Sequence, residues 1–236
     1  MRTQRKIATI VGTCLVACLL VLAALIVGFG ALRGTGLALG SAAVVIGGYV
    51  IVIGPWQRRW GTTDREAHAP MPGDDLLPPE AATTTRAITI EGKPEDVFPW
   101  LVQIGYGRGG WYSYDWIDND GEPSVDRIDP TLQRLEVGDR IEMLPGFGPV
   151  VQEVEPNHYI LSGGETDSWC LMVEPSVDGW TRLISRWRQD WPKSFGTYAW
   201  IAVSDPGAFV MEQRMLRRLR DLATTKPAPR TEGATR

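Results

Sequence analysis

The stretch from Thr84 to Ile104, TTRAITIEGKPEDVFPWLVQI, decides the fold of the larger part of this chain. Its first seven residues alternate in polarity and are mostly β-branched, which predicts a strand. Pro94 and the two acids after it then predict the first turn of a helix, where proline loses no hydrogen bond and acids favour the positive dipole end. The helix has one apolar face, because four residues recur at helical spacing: Val97, Trp100, Leu101 and Ile104.

The remainder of this region reads as further strands and one long helix. Turn signals such as Pro156-Asn157 and Asp178-Gly179 separate the predicted strands, which are 140–143, 150–155, 159–161, 168–174 and 181–189. A last helix is predicted from Pro206 to Leu222. A strand, a helix, a run of antiparallel strands and a final helix is an α+β order. It predicts a helix-grip layout, in which an antiparallel sheet wraps around a C-terminal helix and leaves a cavity between them.

Two segments carry a resemblance to a known superfamily. Ile88 to Gly105 resembles the opening of the START-like, polyketide cyclase/dehydrase (SRPBCC) superfamily. Gly107 to Asn119, GRGGWYSYDWIDN, resembles a subgroup of uncharacterised bacterial members, some of which carry membrane helices. The resemblance covers about Thr83 to Leu222. It implies a START-like fold with a cavity for a hydrophobic ligand, but no particular reaction.

The N-terminal quarter has the composition of a membrane segment. Residues 7–30 carry no charge, and 24 helical residues are long enough to cross a hydrocarbon core of about 30 Å. A second uncharged run covers 34–54, and the short break Arg33-Gly34-Thr35-Gly36 lies between them. We therefore predict a transmembrane hairpin over 1–61. A cleaved signal peptide is the alternative, but its apolar region is about 7–15 residues long and no second span follows it.

The basic residues around these spans predict their orientation. Three precede the first span and two follow the second, whereas the break has one: Arg2, Arg5, Lys6; Arg58, Arg59; Arg33. Cytoplasmic flanks carry the excess of Lys and Arg, so both termini and the aqueous domain are predicted on the cytoplasmic side of the cell membrane. Trp56 and Trp60 fit an interfacial aromatic belt.

Beyond the hairpin, proline and charge divide the chain. Four prolines and several acids in 62–83 predict an extended linker, 84–222 is the predicted START-like domain, and 223–236 is a predicted disordered tail. All 28 acidic residues but only 18 of the 24 basic ones lie beyond Gly61, which argues against nucleic-acid binding. Three scattered cysteines and two histidines form no zinc-ligand pattern, so we predict no metal and no cofactor.

The richest candidate site lies between Arg108 and Asn119. Large aromatics with a few polar ends suit a pocket for a flat or apolar ligand, and the predicted cavity-lining residues are Trp111, Tyr112, Tyr114, Asp115, Trp116 and, from a strand, Trp187. We favour a short helix or turn that covers the cavity mouth and brings Trp111 or Trp116 against ligand. In the alternative, the tryptophans fill the core and Asp115 and Asn119 cap turns.

Alternation along the 181–189 strand places three arginines on one face and Leu183, Ser185 and Trp187 on the other. The arginines, which are Arg182, Arg186 and Arg188, either point outward and pair with acids or point inward and bind an anionic head group.

Three functions remain open at this point. The first is a membrane-tethered module that binds a small hydrophobic or lipid-like ligand in an internal cavity. The second is an enzyme of the cyclase, dehydratase or hydrolase kind, with acid–base groups among Tyr112, Tyr114, Asp115 and Asp118. The third is a non-catalytic interaction domain with a filled core. An enzyme requires titratable groups that converge inside a cavity, whereas a carrier requires a cavity lined mainly by apolar atoms.

Overall fold

The computed structural model describes residues 13, 16–17, 20–21, 23–176 and 179–225. Most of the first half of the first predicted span, and all of the predicted tail beyond Thr225, lie outside the described residues. Within them the chain forms one sheet, a set of helices around it and a long apolar helix before it.

The sheet has five antiparallel strands in the order β1-β5-β4-β3-β2. The strands are β1 (Ala82–Ile90), β2 (Val150–Glu155), β3 (Tyr159–Gly163), β4 (Asp167–Pro175) and β5 (Thr181–Gln189). The last four follow one another as hairpins, and β1 pairs with β5 along its whole length. The strand predicted at 140–143 is absent: Arg140 makes one isolated bridge to Val150, because the chain turns back within a few residues at Leu144 and Phe147.

The helical segments lie before β1, between β1 and β2, and after β5. They are α1 (Ala31–Gly48), a π-helical turn (Tyr49–Ile53), α2 (Gly54–Arg58), α3 (Asp64–His68), α4 (Pro94–Val102), α5 (Asp115–Asp118), a 3-10 turn (Pro130–Leu132) and α6 (Phe195–Thr224). Helix α6 begins well before Pro206, where the sequence predicted its start. The Ser194 hydroxyl caps this earlier end by accepting a hydrogen bond from the Thr197 amide at 3.1 Å.

The hydrophobic core lies between the concave face of the sheet and helices α4 and α6. Leu216 and Leu219 of α6 are fully buried in it. They pack with residues from the strands and from α4, among them Ile88, Ile90, Val97, Leu101, Trp169 and Leu183. An antiparallel sheet around a C-terminal helix is the α+β, helix-grip arrangement that the sequence predicted.

The segment predicted as a linker, 62–83, instead packs on the convex face of the sheet. Met71 lies in a second hydrophobic cluster with Tyr159, Leu161, Cys170, Met172, Ala87 and Ile184. The three arginines of β5 point outward into this segment, as pairing with acids requires. Their guanidinium groups bind carboxylates and carbonyl oxygens of this segment. These bonds hold the proline-rich segment against the sheet.

One described helix is long and apolar enough to cross a membrane, from Arg33 to Arg58 with a mean hydropathy of 2.2. Residues 23–29 are also helical and the chain reverses at Gly30, whose φ is +78°. Gly34 then lies against the preceding helix, since a Cβ there would come within 2.4 Å of the Leu25 carbonyl oxygen. The turn is therefore at Gly30, not at 33–36: Gly34 serves close helix packing rather than chain reversal.

Candidate functional site

Three tryptophans form a continuous stack on the concave face of the sheet. Trp169 of β4 and Trp187 of β5 are direct cross-strand partners, and their rings lie parallel with centroids 4.9 Å apart. Trp111 covers the other side of Trp169 at 5.7 Å. Alternation along two neighbouring strands thus brings two large rings together, and the loop after α4 adds the third.

The polar edges of two of these rings are fixed. The Trp111 Nε1 donates to the Glu142 carbonyl oxygen at 3.1 Å, and the Trp169 Nε1 donates to the Ser185 hydroxyl at 3.0 Å. Trp169 is 1% exposed, whereas Trp187 is only partly buried. The stack therefore has a fixed, buried interior and an accessible end at Trp187.

Gln103, at the end of α4, organises the loop that carries the predicted site. Its side-chain amide donates to the Tyr112 hydroxyl at 2.6 Å and to the Arg127 carbonyl at 3.2 Å, and its carbonyl accepts from the Asp129 amide at 3.1 Å. Burial raises the pKa of Tyr112 to about 12. Sequence reasoning missed Gln103. The signal that could have revealed it is its position, because a glutamine directly follows the apolar run 100–102.

The middle of the aromatic segment lies against α6. The Arg214 guanidinium lies 4.5 Å from the Tyr114 ring centroid, and its Nε donates to the Ser113 carbonyl at 2.8 Å. Asp115 accepts from the Ser124 hydroxyl at 2.6 Å. Trp116, on the single turn of α5, is 39% exposed. The segment is the predicted short helix and turn, held by an arginine that the sequence did not single out.

Asp118 is the most unusual titratable group in this region. It is 8% exposed, and neither carboxylate oxygen makes a well-formed hydrogen bond with a described residue; the same is true of the Ser113 hydroxyl. Burial raises the pKa of Asp118 to about 6, and the charge of Asp115 adds to the rise. A fraction of this carboxyl is therefore protonated near neutral pH.

The structure places the six predicted cavity-lining residues at several positions. Trp111 and Tyr112 belong to the buried core, Trp187 ends the stack, Tyr114 contacts Arg214 of α6, and Asp115 and Trp116 lie on α5. Two open depressions lie elsewhere on the described part of the chain. One of about 360 Å³ is lined by Thr89, Glu91, Trp180, Arg220 and Thr224, and one of about 770 Å³ follows α1. Neither includes any of the six.

A buried charged network joins the domain to the apolar helix before it. Arg86, on the concave side of β1, is 2% exposed and pairs with Glu212 of α6. Its Nε also donates to the Gln57 carbonyl at 2.9 Å, and Gln57 itself donates to Asp205 at 2.9 Å. The sequence contains a signal for this network, because Arg86 occupies a core-facing position in the alternation of β1.

Comparison with known proteins gives likenesses of fold only. No protein-family model and no curated protein sequence matches the chain. A solved structure from Staphylococcus saprophyticus is similar at 14% identity and a TM-score of 0.38, covering 59% of this chain and 89% of that one. A conserved protein of unknown function from Enterococcus faecalis is similar at 16% identity and 0.37, covering 66% and 79%.

A third similar structure belongs to the superfamily that the sequence resembles. It is a Polyketide_cyc-like protein from Corynebacterium glutamicum, at 18% identity and a TM-score of 0.30, covering 62% of this chain and 91% of that one. At these TM-scores the likeness bears on neither ligand nor reaction. The class of fold is given by the chain's own architecture, which is a five-stranded antiparallel sheet around a C-terminal helix, consistent with a helix grip.

Proposed function

We propose that this chain is a membrane-anchored START-like module that holds a small hydrophobic or lipid-like ligand against the accessible end of its tryptophan stack. The observation that carries the proposal is the position of Trp187. Its indole is only partly buried, yet it continues a stack whose other two rings are buried in the core. A flat apolar surface backed by a rigid stack suits an apolar ligand, because ring burial provides affinity at little entropic cost.

The direction in which this surface opens supports a ligand from the bilayer. Trp187 pairs with Thr84 of β1, two residues from Arg86. Arg86 in turn contacts Gln57 at the end of the apolar helix. A molecule that leaves the bilayer beside this helix therefore reaches Trp187 over a short distance.

The anchor of the proposal is a two-helix hairpin with both termini and the domain in the cytoplasm. Close packing of Gly34 on the helix before it supports two adjacent helices. Arg58 and Arg59 after the second helix support the orientation. A reporter fused after Arg236 tests it: activity of a cytoplasm-only reporter is expected, and activity of a periplasm-only reporter contradicts the hairpin.

Lipid retention tests the ligand site. The full chain is purified in mild detergent, extracted with organic solvent and analysed by mass spectrometry for bound hydrophobic molecules. Trp187→Ala is expected to lower the bound amount by about tenfold or more, the scale of losing one aromatic anchor. Trp180→Ala is the matched control, since Trp180 is an exposed tryptophan immediately before the opposite end of the same strand. Equal retention by both variants contradicts the site.

A non-catalytic interaction domain with a filled core is the second candidate. One observation favours it: Trp111 and Trp169 fill the space between sheet and helix with both indole N–H groups satisfied. It predicts that no hydrophobic molecule co-purifies with the unaltered chain. An enzyme is less well supported, because Tyr112, Tyr114 and Asp115 contact separate partners, Gln103, Arg214 and Ser124.

A further inference from the structure

The first third of α6 differs in composition from the rest of the helix. No charged residue occurs from Ser194 to Ser204, between Lys193 and Asp205, and the stretch reads SFGTYAWIAVS. Trp200, within it, is 62% exposed. By contrast, the last third of α6 carries three arginines and buries Leu216 and Leu219 in the core. An uncharged helical segment that exposes a tryptophan at the end of a core helix points to a partner.

Contacts between α6 and the apolar helix show that the two run in the same direction. Asp205 accepts from the Tyr49 hydroxyl at 3.4 Å and from Gln57. Further along α6, the Phe209 ring contacts Trp56 at 5.4 Å and Trp60 at 6.3 Å. Later residues of α6 thus contact later residues at the C-terminal end of the apolar helix and just beyond it. Residues before Asp205 therefore extend toward the span itself.

The length of the segment sets how far it reaches. Ten residues of α-helix rise about 15 Å, so Phe195 lies about that far from Asp205 along the axis, on the span side. The headgroup region on one side of a bilayer is about 5–7.5 Å deep, so a segment of this length is long enough to pass through it and reach the acyl chains. The exposed Trp56 and Trp200 both belong to the residue type enriched in that layer.

We infer that residues 195–204 of α6 lie in the membrane interface, with the lipid bilayer as their partner. The inference rests on the membrane anchor of the proposed function. Asp205 marks the polar limit of the inserted segment, where Arg58 pairs with its carboxylate and Gln57 donates a hydrogen bond to it. Because the same helix supplies Leu216 and Leu219 to the core, the ligand-binding face and the bilayer are then connected through one rigid element.

Site-directed spin labelling of the full chain tests this inference. Cys14 and Cys18 are replaced by Ala, whereas Cys170 stays, because burial raises the pKa of its thiol to about 12 and protects it from labelling. Labels are introduced by Trp200→Cys and, as a second variant, by Gly196→Cys. Two exposed positions are controls: Val210→Cys on the same helix beyond Asp205, and Val137→Cys on a distant loop. Parent protein without an introduced cysteine verifies that Cys170 is silent.

The labelled proteins are reconstituted in phosphatidylcholine–phosphatidylglycerol vesicles, floated after a carbonate wash, and measured for collision with oxygen and with a water-soluble nickel chelate. The nickel-to-oxygen accessibility ratio is expected to be at least about fivefold lower at 196 and 200 than at 210 and 137, as for an interfacial apolar face. Equal ratios in protein that floats overturn the inference while the anchor stands. Protein that does not float overturns the anchor. Spin–spin broadening that disappears on dilution with unlabelled chain assigns the segment to a second copy and also overturns it.

Discussion

The two faces of strand β5 are covered by different chemistry. On the concave side, the Ser185 hydroxyl accepts a hydrogen bond from the Trp169 indole, and the Trp187 ring stacks on the Trp169 ring. On the convex side, Arg186 is buried at 4% exposure by the chain segment that precedes the sheet. One face is held by aromatic packing between neighbours in the sheet, and the other by charge pairing with residues more than a hundred positions away. The same alternation therefore produces one face that packs aromatic rings and one face that binds the segment between the apolar helix and the sheet.

Removal of residues before Pro78 is expected to have the largest effect on this comparison. A fragment from Pro78 to Thr225 leaves Arg182 and Arg186 without Glu66 and Asp74, and buried cations that lose their partners cost about 3–5 kcal/mol each. That loss is a large part of a domain's total stability of about 5–15 kcal/mol. We expect the fragment to lose its cooperative thermal transition in calorimetry.

The matched control is a fragment that starts at Thr62 and keeps α3 and both acids. It is expected to unfold in one transition. If the Pro78 fragment melts as cooperatively and at the same temperature, the convex face does not need its cover, and 62–83 is a spacer after all.

The concave face gives the next largest effect. Trp169→Ala removes the buried middle ring of the stack and leaves a cavity, so the free energy of unfolding is expected to fall by about 3–5 kcal/mol. Trp187→Ala, at the accessible end, is expected to cost less than half of that and to lower lipid retention instead. Urea denaturation of the 62–225 fragment measures both. Equal destabilisation by the two variants would mean that Trp187 is a core residue.

Protonation of Asp118 is expected to give a somewhat smaller effect. Its pKa is about 6 in the folded protein against 3.8 ordinarily, so the folded state holds the proton more tightly. The contribution of Asp118 to stability is therefore greatest below pH 4, falls as the pH rises from about 4 to about 6, and is constant above. The difference of about two units corresponds to about 3 kcal/mol at most.

Asp118→Asn removes this penalty. The variant is expected to be up to about 3 kcal/mol more stable than the parent at pH 7.5 and equal to it at pH 4, because the amide resembles the protonated acid. Denaturation at a series of pH values measures the difference, with the exposed Asp75→Asn as control. A difference in stability between variant and parent that does not change between pH 4 and 6 would show that Asp118 is solvated.

How far the sequence predicts this structure depends on how far apart the interacting residues lie along the chain. Local alternation and turn residues predicted five strands after α4, and four of these are present in the structure. Alternation also placed Trp187 on the face of β5 opposite to its three arginines. These local patterns did not reveal Gln103 or Arg86 as hubs, because most partners of these side chains lie 24 to 126 positions away. Prolines in 62–83 predicted an extended linker, but the segment contains α3 and packs on the sheet, and Pro206 concealed the earlier start of α6 at Phe195.

The candidate site was predicted in part for the same reason. The aromatic composition of 111–116 indicated large buried rings, and Trp111 and Tyr112 are buried. Composition does not specify which ring meets which, since Trp169 enters the stack only through the cross-strand register of β4 and β5. Composition also does not predict that Arg214 binds the Ser113 carbonyl, because these two residues lie 101 positions apart.

The smallest effect on stability is expected at Trp116, and it tests whether the aromatic segment contacts ligand. Trp116 is 39% exposed on a one-turn helix, so Trp116→Ala is expected to cost less than about 1 kcal/mol, as at most surface positions. If α5 covers the mouth of the ligand site, the variant nevertheless retains less co-purified lipid than the parent. If retention is unchanged, the ligand contacts only the Trp187 end of the stack. If instead the ligand-free domain of the variant unfolds, with a loss like the 3–5 kcal/mol of a core tryptophan, Trp116 is structural and the filled-core candidate gains.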